Sequence, residues 1–198
     1  MAATETKARI VEAAVATLRE EGFAGSSARA IAGRGGFNQA LVFYHFGTLN
    51  DLLLAALDRT SDERMAAYTT ALDGVTGLAA TMRAASDLYA EDLRAGHITV
   101  LCELIGGSAT AKELGPQIAE RVQPWVRLTE ATLMRAFASS PLRRLLPVRE
   151  LAYPVVALYL GIEMLAHLDG DRTRADALFA TGRKVTDRLG RLALRRAS

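Results

Sequence analysis

The sequence predicts an all-α fold, and three observations predict it. The chain of 198 residues is half hydrophobic, holds only 16 glycines and 5 prolines, and is rich in alanine, leucine and arginine. Those are residues that cost little in a helix. No period-2 alternation of β-branched residues persists along the chain. Apolar residues recur instead at i, i+3 and i+4, in segments bounded by capping residues and glycines. The length allows one large domain or two small ones with an ordinary core.

The first helix is expected from Thr6 to Glu21, with Ile10, Ala13, Ala14, Thr17 and Leu18 on one face. Gly22 is placed to stop it, and Phe23 to fold back on Leu18. Ser26 or Ser27 caps a second helix over 27–34, with Ile31 and Ala32 turned inward. Gly35-Gly36 ends that helix, Phe37 follows as a buried plug, and Asn38 is a good N-cap for a third short helix over 39–45. Thr48 caps the fourth helix, and Asp51 sits at N3. Leu52, Leu53, Ala56 and Leu57 carry its apolar face, which Met65, Tyr68 and Leu72 extend.

Helices this short are unstable alone, so the second and third need the first and fourth as a scaffold. Helix, glycine turn, helix over 27–45 is the helix-turn-helix pattern, in which the second helix enters a DNA major groove N-terminus first. The stretch "IVEAAVATLREEGFAGSSARAIAGRGGFNQALVFYHFGTLNDLL" shows more. It has an Ile-x-x-Ala-Ala first helix, a Gly-aromatic stop, a Ser pair, Ile-Ala, a glycine turn, and aromatic-Tyr-His-Phe before a helix cap. In that order and spacing, residues about 7–58 resemble the DNA-binding domain of the tetracycline-repressor-like (TetR) family of bacterial regulators. The resemblance implies a helix-turn-helix DNA-binding domain over 1–60 and a helical ligand-binding and dimerisation domain over 61–198, about nine helices in all. It further implies a homodimer that binds double-stranded operator DNA, responds to a small-molecule effector and usually represses transcription.

Residue types in the third helix fit that chemistry. Val42 and Phe46 should pack inward, leaving Gln39, Ala40, Phe43 and Tyr44 nearer the exposed face. Gln39 can read an adenine edge, and Ala40 and Leu41 can meet a thymine methyl. Tyr44 and His45 can donate to phosphate oxygens, which positions the helix without reading sequence. For His45 a place in the core stays open as well. Ser26, Ser27, Arg29, Asn38 and Thr48 complete the expected DNA-contacting set. Arg34 is expected to be a solvated surface residue. The sequence departs from the family at two positions: Phe43 stands where Tyr is frequent, and Leu49 where Lys is usual. Each lost phosphate contact flattens the salt dependence by roughly one unit of slope, so modest non-specific affinity is expected.

Beyond residue 61, helices are expected over 61–73, 76–95, 97–109, 116–139, 149–168 and 173–196. The last two read as a dimer surface. Val155, Leu158, Ile162 and Leu165 make the first of them apolar nearly all round, and Leu178, Val185, Leu189 and Leu192 stripe the second. Candidates for an effector site among the middle helices are Tyr68, Met82, Tyr89, Leu101, Cys102, Trp125, Met134, Phe137 and Tyr159. Each can equally be ordinary core. Glu103 and Glu163 lie inside apolar runs, and a buried carboxylate needs a partner. An internal arginine or a backbone group is the expected one.

Charge gives no help with the partner. Residues 1–60 hold six basic and six acidic groups, 61–170 ten and thirteen, and 171–198 eight and three. A DNA partner must therefore be announced by geometry. The 3 histidines, at 45, 97 and 167, lack metal-ligand spacing, and neither a Gly-x-Ser-x-Gly elbow nor a P-loop is present. No catalytic residue, metal or cofactor is expected. The single cysteine, Cys102, fits a reducing cytoplasm, and the N-terminal stretch lacks the charged-then-apolar order of a signal peptide. The apolar window 151–168 contains Pro154, Glu163 and His167, so it reads as a buried helix and no membrane partner is expected. Two rivals differ in class: a helical ligand-sensing dimer that does not act through DNA, and a helical hydrolase or transferase.

Overall fold

The computed structural model describes residues 2–95, 98–169 and 173–197, with the side chains at 2, 93–95, 141, 167, 169 and 190–197 excepted. The described residues form nine α-helices and one 3₁₀ turn, with no strand. The helices are α1 (Ala2–Gly25), α2 (Ala28–Gly35), α3 (Ala40–Phe46), α4 (Leu49–Leu72), α5 (Leu78–Ala95), α6 (Thr99–Gly107), α7 (Leu114–Ala136), α8 (Ala152–Asp169) and α9 (Thr173–Ala197). The 3₁₀ turn, Pro141–Arg144, fills the predicted Ser-Ser-Pro loop, and Ser140 Oγ caps it by accepting from Leu142 N. No single helix among the described residues is long and apolar enough to cross a membrane.

The chain divides into two compact units. One comprises Met1–Met65 and Gly96–Val122, the other Ala66–Ala95 and Gln123–Ser198. The first is larger than the segment 1–60, because α6 and the first turns of α7 join it.

The core of the first unit explains that addition. Ile10, Ala14, Leu18, Ile31, Val42, Leu52, Leu53, Ala56 and Leu57 are buried, and so are Val100 and Leu104 of α6 and Leu114 and Ile118 of α7. A domain of some sixty residues buries a smaller fraction of its surface than a larger one. Each fully buried leucine added to it contributes roughly 1.5–3 kcal/mol. The two α7 residues are held beside α4 by polar ties. Arg121 donates to both carboxylate oxygens of Asp58, at 2.7 and 3.0 Å, and Asn50 Nδ2 donates to Glu113 Oε1 at 2.7 Å.

Gly22 breaks α1 as expected, with φ 69° and ψ −176°, a backbone that side-chain-bearing residues avoid. Phe23 packs against the core that holds Leu18, and α6 also fixes the turn. Glu103 Oε2 accepts from Phe23 N at 2.8 Å, and the Phe23 ring fills the place where a side chain at Gly107 would stand. A Cβ there would lie 2.3 Å from the ring. Phe37, expected as a buried plug, is half-buried and packs against the rim of this core.

In the second unit α5 packs on α9. Arg183 Nη1 donates to Ser86 Oγ, Arg83 pairs with Asp187 at 3.2 Å, and Gly182 lets Met82 approach α9 closely. A small apolar cluster joins Ala136, Phe137 and Val148 with Leu78, Leu133, Met134 and Leu142.

Candidate nucleic-acid interface

Local capping builds the helix-turn-helix in the first unit. Ser27 Oγ accepts from Ala30 N at 3.1 Å and starts α2. Gly36 ends α2 in the left-handed region, with φ 66°, where glycine carries no Cβ penalty. Phe37 N then donates back to Ala32 O at 3.1 Å, closing the C-terminal turn. Asn38 Oδ1 accepts from Ala40 N at 2.9 Å and starts α3. Thr48 Oγ1 accepts from Asp51 N at 3.1 Å and donates to Asp51 Oδ2 at 2.6 Å, which starts α4. Between α3 and α4 the chain bends by 71°.

These caps fix which side of α3 faces water. Val42 is wholly buried, while Leu41 and Phe46 pack half-buried against the core. Gln39 and Ala40 are exposed, Phe43 is 49% exposed and Tyr44 82%. Tyr44 and His45 meet edge to face, with ring centroids 5.0 Å apart and planes at 83°. So the outward face carries an amide, a methyl, a ring and a phenol, and large side chains left in water at that density cost stability. They can offer hydrogen-bond donors and flat apolar edges to a base or a phosphate. Ser27 and Arg29 at the start of α2 are exposed beside it in sequence.

Nearby cations are mostly committed. Arg34 pairs with Glu20 and with Glu21, each at 2.8 Å, and those carboxylates hold its guanidinium above its ordinary pKa. Arg59 pairs with Glu12 and Glu63. Arg9 Nη2 donates to Gly35 O at 3.3 Å. Lys7 is different: its Nζ lies 5.1 Å from the centroid of the Phe46 ring.

The second unit holds a separate polar-aromatic group. Asp92, 4% exposed, accepts from Tyr68 OH at 2.6 Å and from Tyr159 OH, and the two phenols lie 3.0 Å apart. Trp125 meets Tyr68 edge to face at 5.2 Å, and Tyr89 packs between Tyr159 at 6.0 Å and Phe179 at 4.5 Å. Glu163, 5% exposed, follows Tyr159 by one helical turn on α8.

Comparison with known proteins places the N-terminal segment in a family. The model described as "Bacterial regulatory proteins, tetR family" matches residues 10–56, the span from the α1 core face to α4. Residues 10–56 are a tetR-family domain. No curated protein sequence matches the chain. Solved structures of the same fold do. The fatty acid degradation regulator FadR from Bacillus halodurans is 16% identical with a TM-score of 0.74, over 91% of this chain and 93% of its own. The multidrug binding protein EbrR, in a complex with imidazole, is 25% identical with a TM-score of 0.65, over 93% and 89%. FadR from Bacillus subtilis, in a complex with stearoyl-CoA, is 18% identical with a TM-score of 0.70, over 90% and 96%.

Within the tetR-family domain, most of the expected contact residues lie where DNA could reach them. Ser27, Arg29, Asn38, Gln39, Ala40, Phe43, Tyr44 and Thr48 are exposed, and His45 is half-exposed. One correction follows. Ser26 is 2% exposed and its hydroxyl donates to Gly22 O at 2.7 Å, so it braces the α1 turn. Leu41 is half-buried against the core, next to exposed Ala40.

The effector candidates divide. Tyr68, Tyr89, Trp125 and Tyr159 do converge, around an aspartate the sequence reading missed. Met134 and Phe137 instead belong to the small apolar cluster, and Met82 packs on Gly182. Leu101, Cys102 and Glu103 fall in the first unit, Leu101 against its core and Glu103 on the backbone of Phe23. That backbone partner was among those expected. Asp92 carries no sequence signal, because its partners stand 24 and 67 residues away.

Of the proposed dimer residues, Val155, Leu158, Leu165, Leu178, Val185 and Leu189 are exposed and Ile162 is half-buried. The Leu192 side chain lies outside the described residues.

Proposed function

We propose that the protein is a ligand-responsive transcriptional repressor, not an enzyme, that works in the cytoplasm as a homodimer on a pseudo-palindromic operator. The observation that carries this is the outward face of α3, where Gln39, Phe43 and Tyr44 are exposed on a helix capped and anchored from behind. Two copies would set α3 into successive major grooves, with half-sites about one helical turn, or a multiple, apart. Dimerisation would use the exposed aliphatic faces of α8 and α9. The effector would bind in the second unit beside Asp92, Tyr68, Trp125 and Tyr159. Proteins of this fold solved with stearoyl-CoA or imidazole support a ligand-binding role.

An effector would favour a dimer geometry that misfits the operator. By linkage, operator DNA must then weaken effector binding by the same factor. The test is selection of random duplex DNA on the purified protein, with sequencing of the bound pool. An enriched inverted repeat is expected, and it would supply the operator for effector screening. No enrichment at moderate salt would instead favour a ligand-sensing dimer that does not act through DNA. Equal effector affinity with and without operator would exclude induction by this route.

A further inference from the structure

We infer that Lys7 of α1 is a DNA-phosphate contact, supplying the cation that the start of α4 lacks. This rests on the DNA-binding reading above and adds to it a residue outside the helix-turn-helix elements.

The start of α4 carries no cation of its own. Leu49 is half-buried and packs on the core, so it offers neither charge nor a hydrogen-bond donor. Lys7 of α1 reaches the end of α3, just before that start. It is exposed, and its ammonium lies over the ring of Phe46, the last residue of α3 and two positions before the Thr48 cap. A lysine on a solvated helix ordinarily samples many rotamers. A ring face within about 6 Å attracts the ammonium and narrows that sampling. Phe46 is itself packed against the core, so the ring is a fixed platform.

The charge at this spot is also available. The guanidinium groups of Arg34, Arg59 and Arg121 are each spent on carboxylates, and that of Arg9 on a carbonyl. The Lys7 ammonium is directed to an aromatic face, which leaves its other sides to water and to an incoming phosphate. Phosphate contacts of this kind set register and affinity, not sequence preference. Lys7 is thus a positioning residue, and neutralising it should weaken binding to all sequences alike.

The experiment measures the salt dependence of binding to a random-sequence duplex of roughly three helical turns. It compares wild type, Lys7→Gln, Lys7→Arg and Arg34→Gln. Each phosphate neutralised contributes about 0.9 to the slope of log K against log salt. Lys7→Gln should flatten the slope by about that amount per half-site and lower affinity roughly eightfold per half-site near 0.1 M salt. Lys7→Arg should restore the slope, and Arg34→Gln, which removes an equal charge from a carboxylate-paired site, should leave it unchanged. A Lys7→Gln slope equal to wild type would overturn the inference while the DNA-binding reading stood. Equal flattening by Lys7→Gln and Arg34→Gln would overturn it too, because bulk charge would then be the cause. A wild-type protein that binds no duplex at any salt would remove the DNA-binding reading and this inference with it.

Discussion

Helices α3 and α8 both leave apolar side chains in water, but they differ in kind. The face of α3 is small and mixed: the Gln39 amide, the Tyr44 phenol and the His45 imidazole stand beside Ala40 and Phe43. The large apolar residues that α8 exposes are Tyr153, Val155, Leu158, Leu165 and Leu168, nearly all aliphatic. α9 adds Leu178, Val185 and Leu189. An aliphatic face gains by removal from water against another such face. A face of phenol, amide and ring suits a polyanion with flat bases, which keeps its polar atoms bonded. The contrast supports the proposal that one surface meets a second copy of the chain and the other meets DNA.

Breaking that assignment starts with α8, where the effect should be largest. Leu158→Glu together with Leu165→Glu puts like charges onto the proposed self-complementary face. Sedimentation should then find a monomer with unchanged helical content; a dimer that survives both charges would move the interface elsewhere. Tyr44→Ala is the corresponding test of α3. Hydrogen bonds to charged groups are worth about 1.5–3 kcal/mol, so affinity for a selected duplex should fall roughly tenfold to a hundredfold. The side chain is 82% exposed, so the unfolding temperature should barely move. Loss of stability there would mean that Tyr44 serves the fold.

Two smaller effects separate the face of α3 from its support. Gly107→Ala forces a methyl toward the Phe23 ring, 2.3 Å away, and overpacking of this kind costs about 1–3 kcal/mol. Calorimetry should show a lower melting temperature; an unchanged one would show that α6 does not brace the α1 turn. Ser27→Ala removes the α2 cap, which is worth about 1 kcal/mol. For a chain of this size that is a fall of roughly 2–4 °C.

The tetR-family domain was legible in the sequence to the level of individual caps. Ser27, Asn38, Thr48 with Asp51, and the glycines at 22 and 36 all behave as local chemistry dictates. Buried Val42 and exposed Tyr44 followed from helical periodicity alone. Ser26 escaped because adjacent serines look alike in sequence. The α1 turn sends one inward to Gly22 O and leaves the other as the cap.

What the sequence determined by itself was whatever depends on neighbours within one or two helical turns: helix order, caps, turn glycines and which stripe of each helix is apolar. Tertiary structure decided the rest. Glu103 bonds to Phe23 across 80 residues, Tyr159 joins Tyr68 across 91, and Lys7 rests on Phe46. Those pairings depend on the angle and register at which helices pack. Packing is set by the summed fit of many side chains, and no short segment carries that sum.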